Sequence, residues 1–251
     1  ASREHRGFWS SFQYVTLVMG HLIALAVLIA LQQVLTPEQL REWGWRIPFA
    51  IGAVAALVAL WLRRNMAETE SFQRSEADDS TAHQARQGTL RALLQHPRAV
   101  LTVVGLTMGG TLAFYTYTTY VHKFLVNSAG LSTQAAALVN ASTLFVYMLL
   151  QPLVGALSDR IGRRRILIAF GVLGTLCTWP ILSSLRDATP AQAFWLILAA
   201  LAITSGYTAI NAVVKAELFP VEVRALGVGL PYALTVALFG GTAEYVALWF
   251  K

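Results

Sequence analysis

The residues best suited to chemistry lie in a short basic segment, residues 155–165, where one carboxylate stands among four arginines. Asp159 can accept charge-assisted hydrogen bonds from an arginine and from free N–H groups at a helix start. Gly155 permits two helices to approach closely, and Gly162 permits a tight turn. The segment predicts either a charge contact that opens and closes or a basic hairpin that only sets topology. With two residues from a later polar segment, the predicted gate comprises Asp159, Arg160, Arg163, Glu217 and Arg224.

Three otherwise apolar segments carry polar side chains at helical spacing. At about 100° per residue, each set falls on one helix face, within an arc of about 120° in the first set. Such stripes either bond helices to one another or line a cavity, and tyrosines can hydrogen-bond a carboxylate. The stripes are Thr116, Tyr117, Tyr120 and Lys123; Asn140, Thr143, Tyr147 and Gln151; and Thr204, Thr208, Asn211 and Lys215. The predicted cavity residues are Tyr117, Tyr120, Asn140, Tyr147, Tyr207 and Asn211.

Few ionisable residues lie within the apolar segments, and each has two interpretations. His21 could carry a proton, because histidine titrates near neutral pH, or bond a neighbouring helix in its neutral form. Glu244 could bind and release a proton, or pair with Lys123 at an outer rim. Lys123 and Lys215 are expected near opposite membrane faces with their ammonium groups reaching water, Lys215 as an interface anchor or gate residue.

Seven apolar stretches must position these side chains. Most have the roughly 20 residues that a helix needs to cross a hydrocarbon core of about 30 Å. Only 13% of the 251 residues are charged, whereas a soluble domain carries about a quarter. The sequence therefore predicts an all-α integral membrane protein, with no strands of a β-barrel. The stretches are 12–35, 47–62, 99–121, 134–157, 166–185, 191–214 and 226–250.

Basic residues are distributed unevenly between the two sides. Fourteen of the 19 lysines and arginines lie in segments 1–11, 63–98, 158–165 and 215–225, which alternate spans place on one side. The excess of positive charge assigns that side, and the N-terminus, to the cytoplasm. Because the basic residues lie between apolar runs, the net charge of +6 does not indicate nucleic acid.

The segment 155–165 has the pattern Gly-x-x-x-Asp-Arg-x-Gly-Arg-Arg-Arg, which resembles the loop between helix pairs in the major facilitator superfamily. Other segments resemble its metabolite–proton symporter branch, most closely the α-ketoglutarate permeases. They are 8–14, 43–49, 114–120, 151–159, 215–229 and 239–248, so the resemblance covers nearly the whole chain.

This resemblance implies spans five to eleven of a twelve-helix transporter, so we expect a fragment that needs its remaining helices. Residues 1–62 would end the N-terminal bundle, 63–98 would form a cytoplasmic linker with a short helix near 89–95, and 99–251 would begin the C-terminal bundle. The implied activity is proton-coupled uptake of a small dicarboxylate, α-ketoglutarate first, across a bacterial inner membrane. Shikimate, citrate and proline or betaine are alternative substrates. No arginine lies deep in a span, so either the missing helices supply the cation that a dicarboxylate needs or the substrate is a different one. The resemblance implies the first alternative.

Two other classes of protein fit less well. A seven-helix receptor or retinal photoprotein usually has a lysine inside its last span, and none lies there. A membrane enzyme would need a catalytic or metal-binding pattern, but the five histidines are scattered and the common motifs are missing. We therefore expect no catalytic residues, metal or cofactor.

Overall fold

A computed structural model describes residues 5–64 and 90–249, and its regular elements in these ranges are all helical. Seven helical segments are long and apolar enough to cross a membrane, which confirms the predicted all-α membrane architecture. Most are longer than their apolar cores because polar turns extend them. The spans are Arg6–Val34, Leu40–Arg64, Pro97–Asn127, Thr133–Ile161, Arg163–Ser184, Pro190–Glu217 and Val223–Ala247.

Several spans consist of two or more helical pieces. Three five-residue π-helical turns, Leu40–Gly44, Thr116–Tyr120 and Val236–Gly240, join neighbouring α-helices. The α-helices are α1 (Arg6–Val34), α2 (Pro37–Gln39), α3 (Arg46–Arg64), α4 (Leu90–Leu93), α5 (Pro97–Tyr115), α6 (Val121–Asn127), α7 (Thr133–Ile161), α8 (Arg163–Ser184), α9 (Pro190–Thr208), α10 (Asn211–Glu217), α11 (Val221–Thr235) and α12 (Gly241–Trp249).

The helix starts follow from local sequence. Ser132 precedes α7, and its hydroxyl accepts the Ala135 N–H. Thr189 and Gln192 form a reciprocal capping box at α9, whose first residue is Pro190. Helix α5 likewise begins at a proline, where the missing N–H is not needed. The short helix predicted near 89–95 is present as α4, while residues 65–89 of the predicted linker lie outside the described residues.

The chain forms two compact units. One comprises Ala1–Met19 and Gly88–Lys251, and the other comprises Gly20–Gln87. In the first unit, α9 packs along α7 and α8, and α5 packs along α11 and the π turn that follows it. In the second unit, α3 has no buried residue. The predicted division at residues 62 and 98 stays a prediction.

Two irregularities change which side chains share a face. The π turn Thr116–Tyr120 inserts a wider turn, so an arc drawn at 100° per residue does not describe this span. The apolar residues Phe114, Val121 and Leu125 beside this turn are also buried, so burial here is not confined to the polar face. The span Pro190–Glu217 is interrupted at Ala209 and Ile210, where α9 ends and α10 begins.

Candidate functional site

The Asp159 carboxylate caps the start of α1. Its Oδ1 accepts the Gly7 N–H at 2.8 Å, and its Oδ2 accepts the Phe8 N–H at 2.9 Å. The first N–H groups of a helix have no partner within the helix and carry partial positive charge. Asp159 lies in the last turn of α7, so this contact joins the first turn of α1 to the end of α7.

Two glycines make this contact possible. A Cβ on Gly155 would lie 2.6 Å from the Gly7 carbonyl oxygen, and a Cβ on Gly7 would lie 2.7 Å from the Gly155 carbonyl oxygen. The backbones of α1 and α7 therefore meet without intervening side chains. Gly162 has φ +94°, which permits the turn from α7 into α8.

Arg163 links Asp159 to a second carboxylate. Its guanidinium lies 3.8 Å from Asp159 Oδ1 and 3.4 Å from Glu217 Oε1 at the end of α10. Arg6 approaches the same Glu217 oxygen at 3.9 Å. We call these residues, Arg6, Gly7, Phe8, Asp159, Arg163 and Glu217, the Asp159 cluster.

Two predicted gate residues have other surroundings. Arg160 is exposed, and no ion pair joins it to a described carboxylate. Arg224 donates to the Phe219 carbonyl oxygen at 3.2 Å, which orders the turn between α10 and α11. The structure thus brings Asp159, Arg163 and Glu217 together, while Arg160 and Arg224 lie outside the cluster.

A polar network joins α7 to α9 inside the first unit. The Tyr147 and Thr208 hydroxyls share a hydrogen bond of 2.8 Å, and Thr208 donates to Gln151 Oε1 at 2.9 Å. All three side chains are fully buried. The second and third polar stripes therefore face the protein interior, as predicted, and these three residues also bond the two helices together.

The expectation that the Lys215 ammonium group reaches water near a membrane face is wrong. The lysine side chain is only 2% exposed and does not reach water at a membrane face. Its Nζ donates to the Tyr207 hydroxyl at 3.1 Å and lies 3.9 Å from the centre of the Tyr232 ring. The side chain of a helical residue leans toward the helix N-terminus, which here directs Lys215 into the bundle. We call Lys215, Tyr207 and Tyr232 the Lys215 cluster.

Packing fixes the Tyr207 ring beside this ammonium. Gly110 of α5 leaves the space, because a Cβ there would lie 2.1 Å from a Tyr207 ring carbon. Phe170 of α8 also packs against this ring, with ring centres 5.6 Å apart. Three helices thus hold the hydroxyl that accepts from Lys215.

The remaining cavity candidates lie in different places. Tyr117 is buried and lines a small cavity with Thr178 and Thr204. Tyr120 lines a separate groove with Phe124 and Trp179. Asn140 and Asn211 are buried, and the Oδ1 atom of each has no hydrogen-bond partner within the described part of the chain.

The two predicted proton carriers also differ. Glu244 of α12 forms an ion pair with Lys123 of α6, the partner considered for it from the sequence. Lys123 is half exposed, in contrast to Lys215. His21 lies in the second unit and is exposed.

The chain resembles known transporters over its full length. It is 51% identical to an alpha-ketoglutarate permease of Escherichia coli K12, an alignment that covers all of the chain and 57% of the relative. It is 32% identical to a citrate-proton symporter of Klebsiella pneumoniae and 27% identical to a shikimate transporter of Escherichia coli K12. Each of these two alignments covers 98% of the chain, and 55% and 56% of the respective relatives.

The chain therefore spans little more than half the length of these curated relatives, all of which are named as transporters. No solved structure matches it. Residues 1–230 match the family described as the Major Facilitator Superfamily, and this range includes the basic segment 155–165 and both clusters except for Tyr232. With seven helices long and apolar enough to cross a membrane among its described residues, and a family match over most of its length, the chain is an integral membrane protein that belongs to the Major Facilitator Superfamily.

Proposed function

We propose that the protein is a secondary transporter that takes up a small dicarboxylate, α-ketoglutarate, together with protons. The observation that carries the proposal is the polar interior of an apolar bundle. Asn140, Tyr147 and Gln151 of α7, and Thr204 and Thr208 of α9, all face inward. Polar groups are costly away from water, so an interior of this kind suits a pathway for a polar solute.

The choice of substrate follows the named relatives. The 51% identical relative is named an alpha-ketoglutarate permease, and a citrate-proton symporter and a shikimate transporter are more distant. Citrate and shikimate are therefore the first alternative substrates, followed by proline or betaine, which more distant relatives are named for. The receptor or photoprotein interpretation has no support among these relatives.

The Asp159 cluster is proposed as the cytoplasmic gate. It contains backbone hydrogen bonds to a carboxylate and ion pairs between partly exposed side chains, which can break and re-form as helices move. The excess of basic residues on its side of the bundle supports placing the cluster, and the N-terminus of the chain, on the cytoplasmic side. In this proposal the cytoplasmic side of the bundle is closed in this structure. The protein is proposed to lie in the inner membrane of a bacterium.

His21 and Glu244 are proposed as proton carriers. The contact between Glu244 and Lys123 suggests how a proton could affect helix positions, because a neutral carboxyl group no longer attracts the ammonium. This would loosen α12 from α6. The remaining helices of the full-length protein are proposed to complete the pathway.

The test is uptake of labelled α-ketoglutarate by the full-length protein in vesicles, with and without an imposed inward pH gradient. We expect accumulation that collapses when a protonophore dissipates the gradient. Unlabelled α-ketoglutarate should compete more strongly than citrate, shikimate or betaine. Uptake that ignores the gradient would contradict symport, and stronger competition by another compound would reassign the substrate.

A further inference from the structure

We propose that the Lys215 ammonium group binds one carboxylate of the transported anion, with Tyr207 and Tyr232 as positioning residues. This proposal rests on the proposed transport of a dicarboxylate. In this proposal the cation that a dicarboxylate needs comes from this chain and not from the missing helices.

The first argument is electrostatic. The Lys215 side chain is buried, and none of the carboxylates whose side chains the structure describes lies within 4.0 Å of its Nζ. A buried charge is costly unless it is paired. The nearest carboxylate along the chain, Glu217, is engaged with Arg163 in the Asp159 cluster instead. The ammonium group is therefore available to an anion that enters the bundle.

The second argument is the number of donors. An ammonium group has three N–H donors. One of them is used by the Tyr207 hydroxyl, and the face of the Tyr232 ring attracts the cation without using a hydrogen-bond acceptor. The group is thus held in place from two sides and still has donors for a carboxylate oxygen.

The third argument is the position of the lysine on a broken helix. The span Pro190–Glu217 is interrupted immediately before α10, and discontinuous helices are a common feature of substrate sites in transporters. Asn211, at the start of α10, has a buried Oδ1 without a partner among the described residues. Lys215 and Asn211 lie one helical turn apart, so they present a donor and an amide group from the same short helix.

The test is equilibrium binding to the purified full-length protein, with labelled α-ketoglutarate as the probe. Lys215→Met should raise the dissociation constant by about 10- to 100-fold, the range expected for loss of a hydrogen bond to a charged group. Lys215→Arg should retain part of the affinity. Arg98→Met, which removes an exposed cation at the start of α5, should change binding less than about twofold.

Two monocarboxylates separate substrate binding from a structural role. In 2-oxopentanoate a methyl group replaces the distal carboxylate, and in 4-oxopentanoate a methyl group replaces the carboxylate beside the ketone. If Lys215 binds one carboxylate, Lys215→Met should leave the affinity for one of these analogues nearly unchanged. Equal losses for both analogues and for α-ketoglutarate, or no loss for α-ketoglutarate, would overturn the proposal.

A second variant covers the case in which Lys215→Met does not fold. Tyr207→Phe removes only the hydroxyl that positions the ammonium, and it should weaken α-ketoglutarate binding several-fold and affect one analogue much less. Unchanged binding in Tyr207→Phe would overturn the proposal. If wild type binds citrate or shikimate instead, the substrate assignment fails while the same variants still test Lys215 with that acid. If wild type binds only uncharged or zwitterionic compounds, both proposals fail.

Discussion

The Asp159 cluster and the Lys215 cluster both use charge, but in opposite surroundings. In the first, Arg163 and Glu217 are 28% and 38% exposed, while Asp159, which caps α1, is 7% exposed, and the contacts join the starts and ends of helices. In the second, Lys215 is 2% exposed and surrounded by aromatic rings. The partly exposed ion pairs of Arg163 are weak, so the first cluster depends mainly on the Asp159 hydrogen bonds, whereas a buried cation requires a partner. The comparison agrees with the two proposals, conformational switching for the first cluster and ligand binding for the second.

Helix α10 connects the two clusters. Lys215 extends from it into the Lys215 cluster, and Glu217, two residues later, reaches the Asp159 cluster. The Val213 N–H also donates to the Ser10 hydroxyl of α1 at 3.2 Å. A carboxylate that moved Lys215 would therefore act on the contacts of α1 through one short helix.

The largest effect is expected at Asp159. Asp159→Ala removes two hydrogen bonds to a charged acceptor, each worth about 1.5–3 kcal/mol. The equilibrium constant for opening of the cluster should therefore rise by about 100-fold or more. The measurement is the alkylation rate of a cysteine at Ser11, which is buried beside Gly155. The full-length protein with no other cysteine provides the background.

Asp187→Ala is the matched control, because it removes an exposed carboxylate beyond the other end of α8. We expect no change in alkylation there. An Asp159→Ala protein that is alkylated at the wild-type rate would remove the distinction between the two clusters.

A smaller effect, of a different kind, is expected at Thr208. Thr208→Val keeps the shape but leaves Tyr147 and Gln151 without their shared partner. The free energy of unfolding in detergent should fall by about 1–2 kcal/mol, while the alkylation rate of Ser11→Cys stays unchanged. Thr175→Val, on the exposed face of α8, is the control and should have little effect on stability. Faster alkylation in Thr208→Val would show that the interior also controls the gate.

The smallest effect is expected at Lys123. Its ion pair with Glu244 is partly exposed, so Lys123→Met should reduce the free energy of unfolding by less than about 1 kcal/mol. The same unfolding assay measures it. If Lys123→Met lowers the free energy of unfolding more than Thr208→Val does, the exposure of a contact does not predict its contribution to stability.

Local chemistry was enough to predict much of this arrangement. Hydropathy predicts the seven spans, and the glycines and carboxylate of segment 155–165 predict a close helix contact with a capped helix start. Helical spacing predicts that the stripes containing Tyr147 and Thr208 are buried. Each of these inferences depends on neighbours within one or two helical turns.

The remaining features depend on tertiary structure. Counting residues along a continuous helix puts Lys215 at a membrane face, but the interruption at Ala209 and Ile210 and the packing of Tyr207 bring its ammonium inside. The π turn Thr116–Tyr120 similarly changes the faces of Tyr117 and Tyr120. Neither irregularity has a proline or a glycine within it to indicate it in the sequence.

The most direct test of the account is a pair of distances measured by pulsed electron paramagnetic resonance in the full-length protein. One spin-label pair, at Trp9 and Arg164, spans the Asp159 cluster, and the other, at Leu138 and Trp195, reports on α7 and α9, which the buried network joins. All four positions are exposed. On addition of α-ketoglutarate and protons, we predict a longer or broader distance for the first pair and an unchanged distance for the second. A fixed first distance, or equal changes in both, would contradict a gate that opens around a constant interior.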